Sequence, residues 1–404
     1  MSARHRDTQR PQPPPTGRCP ACRDSRLSHL VTLDAPVHTS KLLSSRDEAL
    51  HYPRGPVSLE LCLACGLITN SAFDAPNHDY SASYEETQVF SPRFRQYAAA
   101  LVEDMVERQD LVGRDVLEIG CGRGDVLALL VEATGGRGIG IEPSWRGEPL
   151  DTPAAARIEV ISEFLAQEHL DRELGLVVCR HTLEHVHDVQ AFLGTVRAGL
   201  EPRPHTPVFF EVPDTGRILR ETAFWDIYYE HCSYFTPGSM ARAFRVAGFR
   251  TIELQLGFDE QYIQLTAVPD GHETEPPLHL EEPVSAIVSA ADEFVIRLEA
   301  TRTTWRKTLG ETHARGETCV LWGAGSKGVG FLASVGLSDE VACVVDVNPA
   351  KHGMFMPGSG HEIVPPGRLV DLQPDLVVVM NPAYAEEIRS DLAMLGLDAV
   401  VTTL

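Results

Sequence analysis

Residues 115–133 read DVLEIGCGRGDVLALLVEA, and the glycines at their centre decide how the chain folds. The run around Glu118 predicts a strand, and Leu127, Leu129, Leu130 and Val131 predict the helix that follows. Between them Gly120, Gly122 and Gly124 predict a turn that lets the backbone pass close to a bound nucleoside, where strand gives way to helix. Working outward, GIGIEPS (138–144) predicts a second strand ending in Glu142, an acid placed to accept both ribose hydroxyls. RIEVISEFL (157–165), which carries Glu163, LGLVVCRHTLEHV (174–186) and PVFFEVPD (207–214) keep the alternation of a doubly wound α/β domain.

N-terminal to this unit lie an amphipathic helix running through about Leu111 and an aromatic-rich connection, FDAPNHDYSASYEETQVFSPRF (73–94). Before them stand CPAC and CLAC, with thiols at Cys19, Cys22, Cys62 and Cys65. Two CxxC knuckles match a closed tetrahedral zinc site, each knuckle giving two ligands from one tight turn. A thioredoxin-type redox site would need only one pair, beside a βαβ pattern. With all four positions filled by protein, the metal is expected to be structural. The five other cysteines, Cys121, Cys179, Cys232, Cys319 and Cys343, sit in apolar or turn contexts and are expected to fill space.

C-terminal to the unit, GHETEPPLHLEEP (271–283) turns acidic and proline-containing, as a linker does. A helix follows with Val284, Ile287, Val288, Ala291, Val295, Leu298, Trp305 and Leu309 on one stripe. ETCVLWGAGSKGVGFL (317–332) and VACVVDVNP (341–349) then form a second Rossmann-like βαβ unit, with Gly323, Gly325 and Gly328 in its turn and Asp346 after its second strand. By spacing alone this turn could bind NAD. The alternative is that it holds the pyrophosphate of a sugar nucleotide, with Lys327 adding a point charge.

The chain of 404 residues is too long for one ordinary core. Its 57 acidic and 35 basic residues leave a net charge of −22, which repels a phosphate backbone and excludes nucleic acid as a partner. No apolar run approaches membrane-spanning length, and the polar, proline-rich residues 1–18 read as a disordered tail rather than a signal peptide. Paired cysteines of metal-binding type suit a reducing cytoplasm. The expected units are a zinc-binding lobe (19–75), the doubly wound α/β domain (76–270), the linker (271–283) and a C-terminal Rossmann-like domain (284–404), together a monomer.

The form E-I-G-C-G-R-G, with a second acid about two dozen residues on, is similar to motifs I and II of class I S-adenosylmethionine methyltransferases; nicotinamide sites keep the longer G-x-G-x-x-G. A cysteine-pair lobe, this core, the segment DIYYEHCSYFT (226–236) and a terminal WGAGSKG domain, in that order, resemble the nucleotide-sugar C-methyltransferases. VDVNPAKHGMFMPGSGHEIVPP (345–366) resembles the terminal signature of the same family, with its lysine at Lys351. The resemblance runs from Cys19 to the C-terminus. It implies an α/β fold: a class I methyltransferase Rossmann-like core with a small N-terminal zinc lobe and a second, C-terminal Rossmann-like domain. It implies a branch methyl added to C3 of a 4-keto deoxysugar nucleotide, with S-adenosylmethionine as cofactor and a structural zinc ion. Cofactor contacts are expected at Glu118, Gly120, Gly122, Gly124, Glu142, Glu163 and His181, and substrate contacts at Gly323, Gly325, Lys327, Gly328, Asp346 and Lys351.

The same resemblance assigns the base to His231, with Tyr228 and Glu230 beside it. Carbon becomes a nucleophile when an adjacent carbonyl lets it ionise, and a neutral imidazole suits that proton removal because it titrates near working pH. A phenol from Tyr228, Tyr80 or Tyr84 could donate to the enolate oxygen, worth roughly 3 kcal/mol as a single oxyanion donor. Where the family places an asparagine, this chain has His181, in CRHTLEH. His181 and His185 are expected to cap the helix after the fourth strand or to line the cofactor pocket, with His185 the second candidate base. Glu230 in a turn could brace a neighbouring group, and Tyr229 and Tyr234 are expected to pack.

Overall fold

The computed structural model describes residues 17–74, 89–270, 276–336 and 339–404. Nearly all of the expected N-terminal tail, Tyr80, Tyr84 and residues 271–275 of the linker lie outside them.

In the N-terminal lobe β1 (Leu27–Pro36) pairs antiparallel with β2 (Arg54–Cys62), and β2 with β3 (Ile68–Asn70). Val57, Leu59 and Leu61 of β2 alternate with solvent-facing neighbours, the period of a sheet with one buried face. Because Leu27 is paired with Cys62, the knuckle before β1 and the knuckle after β2 meet at the same end of the sheet.

The central sheet uses β4 (Val116–Ile119), β5 (Gly138–Ile141), β6 (Ile158–Ile161), β7 (Leu176–Arg180) and β8 (Val208–Pro213), all parallel. β4 and β7 are buried throughout, as expected of strands covered by helices on both faces. A two-residue strand, β9 (Ser233–Tyr234), leaves this sheet and adds to the lobe sheet beside β3. The hairpin β10 (Arg250–Gly257) and β11 (Tyr262–Val268) closes the central sheet, with β11 antiparallel to β8. The resulting order is β10-β11-β8-β7-β4-β5-β6, and the order reverses beside β4, so the binding crevice opens at the carboxyl ends of β4 and β7.

The C-terminal unit is a five-stranded parallel sheet, β14-β13-β12-β15-β16, formed by β12 (Cys319–Trp322), β13 (Val344–Val345), β14 (Ile363–Val364), β15 (Leu376–Val379) and β16 (Val400–Thr403). A helix over Val284–Ala314 leads into it. Its buried stripe is Ile287, Ala291, Phe294, Leu298 and Leu309; Val295, expected on that stripe, sits one position further round and is 37% exposed.

Two cores cross the unit boundaries. Val57 and Leu59 of the lobe, Phe224, Ile227 and Tyr229 of the segment before His231, and Ile287, Phe331 and Val378 of the C-terminal unit belong to one apolar cluster. Cys19, Cys62 and Leu67 share another with Val189, Phe210 and Phe244 of the central unit. The residues around 224–234 are therefore packed by the two flanking units rather than by the central sheet alone.

Candidate active site

At the carboxyl end of β4 the glycine turn takes the left-handed backbone its sequence predicts, with φ of 70° at Gly120, 52° at Gly122 and 79° at Gly124. A Cβ on Gly122 would meet nothing within 4 Å, so its backbone faces open space from which a ligand can approach. Its N–H donates to Glu142 Oε2 at 3.1 Å, and Ser144 donates to the other carboxylate oxygen through N and Oγ at 2.9 and 2.6 Å. Glu118 is buried and its Oε2 has no partner among the described residues. Burial pushes its carboxyl up to about 8, against the pull of Arg180. A buried orphan carboxyl oxygen beside an open glycine turn fits the amino end of S-adenosylmethionine, and Glu142 at the tip of β5 fits its ribose. Glu163 follows β6, half exposed, with its carboxylate 3.3 Å from His169 Nε2.

Next to this crevice β7 and β8 carry a buried polar ladder. Arg180 donates to Glu211 Oε1 through Nε and Nη2 at 3.0 and 2.6 Å, Gln264 donates to Glu211 Oε2 at 2.8 Å, and the Tyr97 hydroxyl donates to the same oxygen. His181 follows Arg180 at φ 47°, its Nε2 3.2 Å from Glu211 and its Nδ1 3.6 Å from Glu184. Burial pulls its imidazole down, but Glu184 and Glu211 outweigh that and raise it to about 9. Neither His181 nor His185 caps a helix: the helix Val189–Gly199 is capped by Asp188, whose carboxylate accepts from Ala191 N at 2.9 Å, and the short turn Leu183–His185 has no side-chain cap. Aspartate suits that position because its short carboxylate reaches the orphan N–H groups of the first turn.

His231 stands edge-on to two rings, His185 at 4.8 Å and Tyr228 at 4.7 Å between centroids. All three are half-buried or deeper, and His185 Nδ1 lies 3.1 Å from the Glu230 carbonyl oxygen, so that nitrogen bears the hydrogen. Glu230 itself sits in a turn, with its carboxylate directed away to the lobe. There it accepts from the Thr39 N–H at 3.3 Å and from the Thr39 hydroxyl, and lies 3.4 Å from His38 Nδ1. Burial alone would raise Glu230; His38, His185 and Thr39 together hold it below the usual carboxylate range. The Tyr228 hydroxyl donates to Asp226 Oδ1 at 2.8 Å, and burial with that carboxylate pushes the phenol well up. Tyr234 clamps Tyr228 from behind, donating to its carbonyl at 2.8 Å and accepting from its N–H at 3.0 Å, while Tyr229 packs with its hydroxyl accepting from Asp74 N.

The second glycine turn lies against this segment. The Lys327 ammonium is held by both oxygens of Asp226, and Thr39 Oγ1 shares a hydrogen bond of 2.7 Å with Ser326 Oγ. Gly330, in the helix Ser326–Val335, lies so close to residue 225 that a Cβ there would stand 2.6 Å from the Trp225 carbonyl oxygen. Gly323 is at φ 119°, Gly325 opens the helix, and Gly328 backs onto the Gly323 carbonyl. Asp346 accepts from Ala324 N at 2.9 Å and Asn348 N at 2.8 Å and pairs with Lys351 Nζ at 3.2 Å.

Cys19, Cys22, Cys62 and Cys65 bring their sulfurs within 4.8 Å of one another, with Cys19 to Cys65 at 3.5 Å and Cys22 to Cys62 at 3.6 Å. Tetrahedral zinc with bonds of about 2.3 Å requires sulfurs about 3.8 Å apart, so the four thiols fit a metal ion.

Sequence reasoning missed His38, Thr39, Asp226, Glu184, Glu211 and Tyr97. His38, Thr39 and Ser40 did carry a signal: three polar residues in a row inside an apolar lobe, all buried in the fold, demand partners.

The strand order, with one antiparallel strand set between β8 and β10, and the acid-tipped glycine crevice define a class I methyltransferase fold. A methyltransferase domain model matches residues 90–254 and a C-methyltransferase C-terminal domain model matches residues 282–398. C-methyltransferase NovU of Streptomyces niveus is 28% identical over 391 residues, 93% of this chain and 91% of NovU. Similar solved structures include 1,6-didemethyltoxoflavin-N1-methyltransferase of Burkholderia thailandensis (20% identity, 44% of this chain and 78% of that one, TM-score 0.34). Magnesium protoporphyrin IX methyltransferase of Synechocystis PCC 6803 is another (16%, 46% and 88%, TM-score 0.35). The chain thus carries a methyltransferase domain followed by a C-methyltransferase C-terminal domain and is an S-adenosylmethionine-dependent methyltransferase. Among the described residues no helix is long and apolar enough to cross a membrane.

Proposed function

We propose that the chain methylates carbon C3 of a 4-keto deoxysugar nucleotide, as a monomeric cytoplasmic enzyme with zinc held by the four cysteines. The observation that carries this reading is the acid–base cluster of His231, His185 and Tyr228, enclosed where all three units meet. Methylation of oxygen or nitrogen forms no enolate, and hence calls for no phenol aimed at a carbonyl oxygen beside the base.

S-adenosylmethionine supplies an electrophilic methyl group; Glu118, Gly122 and Glu142 would hold it. His231 takes the α-proton of the ketone, the C–H electron pair moving toward the carbonyl oxygen. Tyr228, turning its hydroxyl hydrogen from Asp226 to that oxygen, donates to it as charge builds there, with Tyr80 or Tyr84 as further candidates. Glu230 fixes the turn from which His231 projects, and its carbonyl orients His185, the second candidate base. The turn from Gly323 through Gly328, with Lys327, takes the pyrophosphate, Lys327 exchanging Asp226 for phosphate oxygens; Asp346 and Lys351 shape the floor of that site.

The test is incubation with methyl-labelled S-adenosylmethionine and a dTDP-4-keto-6-deoxyhexose, followed by NMR of the product. The expected product carries the label on C3. His231→Asn should lose at least about 10² in turnover, the share general-base catalysis supplies. A methyl on oxygen, or undiminished turnover in H231N, would overturn the reading.

A further inference from the structure

Behind the candidate base lies a carboxylate that the reaction as written does not use. Glu184 is 2% exposed, and its Oε2 has no hydrogen-bond partner among the described residues. A carboxylate oxygen of Glu184 and one ring nitrogen each of His185 and His231 all lie within 4.8 Å of one another. A carboxylate oxygen buried without a partner favours a cation that forms beside it. On its other side stands His181, Nδ1 3.6 Å from Glu184 Oε1, braced through Nε2 by Glu211 and edge-on to Tyr262 at 4.5 Å. His181 occupies a left-handed backbone position, φ 47°, which histidine adopts at a cost and which the Arg180–Glu211–Tyr97–Gln264 ladder over-determines.

We propose that Glu184 is the counter-ion of the base, and that His181, across the carboxylate from it, sets the pH at which that base works. The inference rests on the reading of His231 as base. When the α-proton moves to His231 and the C–H electron pair moves to the carbonyl oxygen, the ring gains a full positive charge. Glu184 stabilises that charge as the carboxylate behind a catalytic histidine does. His181, raised to about 9 by its two carboxylates, is charged at neutral pH and opposes it. The pair thus keeps the base strong enough to remove a proton and weak enough to be free of one near pH 7. Other groups face His231: Tyr228 and Tyr234 from its own segment and His185 from the turn before it. Glu230 with His38 from the lobe, and Asp226 with Lys327 from the C-terminal unit, stand next to these. His181 itself faces Glu184, Glu211 and Tyr262, with Arg180 and Tyr97 beyond Glu211.

The two substitutions predict shifts of opposite sign, which a merely structural role would not give. Glu184→Gln keeps the shape and removes the anion, so His231 should titrate lower by about one pH unit or more. His181→Asn removes the cation and suits the left-handed position, so the chain folds and His231 should titrate higher, by about half a unit. The measurement is NMR titration of histidine-labelled protein with S-adenosylhomocysteine added, the His231 signal being assigned by its loss in H231N; no acceptor is needed. The acid limb of kcat/KM with the dTDP-4-keto-6-deoxyhexose should move the same way. If His231 titrates in both variants as in the wild-type chain while H231N is inactive, the proposal alone falls. Undiminished turnover in H231N removes the base reading and this proposal with it.

Discussion

Replacing Gly330 with alanine tests whether the C-terminal unit holds the catalytic segment in place. The added Cβ would stand 2.6 Å from the Trp225 carbonyl oxygen, 3.2 Å from its carbon and 3.3 Å from its Cα, whereas ordinary contact begins near 3.4 Å. The obstacle is backbone, not the end of a flexible side chain, so helix Ser326–Val335 and residues 224–226 must separate by about 0.8 Å at that point. Overpacking of this kind costs about 1–3 kcal/mol, offset by about 1 kcal/mol of helix propensity gained over glycine. The net loss is at most about 2 kcal/mol in urea unfolding. The larger effect should be on turnover, because Asp226 and Tyr228 move with Trp225 and a displacement approaching 1 Å at a catalytic group can cost about 10²-fold. S-adenosylmethionine affinity by calorimetry should not change, since Gly122 and Glu142 lie in the other crevice. Gly310→Ala is the control: inside helix Val284–Ala314 its Cβ meets nothing within 4 Å, and it should stabilise by up to about 1 kcal/mol without touching turnover. If G330A turns over at the wild-type rate, the C-terminal unit does not position the segment and the reasoning fails.

The other predictions concern the same junction and the cofactor crevice. Chelation, or Cys62→Ser, should open the lobe sheet; because β9 belongs to that sheet, methyl transfer should vanish while S-adenosylmethionine still binds, and equal loss of both in calorimetry and turnover would refute the link. Asp226→Asn should cost about 3 kcal/mol in urea unfolding by leaving the Lys327 ammonium unpaired, and the D226N/K327M double variant should regain much of that without regaining activity. Glu118, raised from the ordinary 4.5 to about 8, contributes stability that is present below pH 4.5 and lost as pH rises through about 8. Glu118→Gln should therefore make the ligand-free chain more stable at pH 9 by up to a few kcal/mol and flatten its decline between about pH 4.5 and 8; an unchanged slope there would contradict the burial argument.

What could be read from the sequence was whatever depends on local spacing. The glycines at 120–124 require left-handed backbone and found it, and the alternation of apolar strands with helices placed β4 to β8 correctly. Paired CxxC knuckles led to four converging sulfurs, because two tight turns at one end of a hairpin leave little freedom. Long-range partners were not legible. Nothing local in DIYYEHCSYFT says that Ser233 and Tyr234 will join a sheet begun more than 160 residues earlier, or that Asp226 will take the ammonium of Lys327. The histidines show the limit most sharply. His181 and His185 were expected to cap the helix after the fourth strand or to line the cofactor pocket, yet the cap is Asp188, and the two rings have separate surroundings. His181 stands between the carboxylates of Glu184 and Glu211, whereas His185 gives its Nδ1–H to a backbone carbonyl and sets its ring at a right angle to that of His231. Chemistry at this site is thus set by which anion each imidazole meets across the fold, a property of tertiary packing that one-dimensional spacing does not encode.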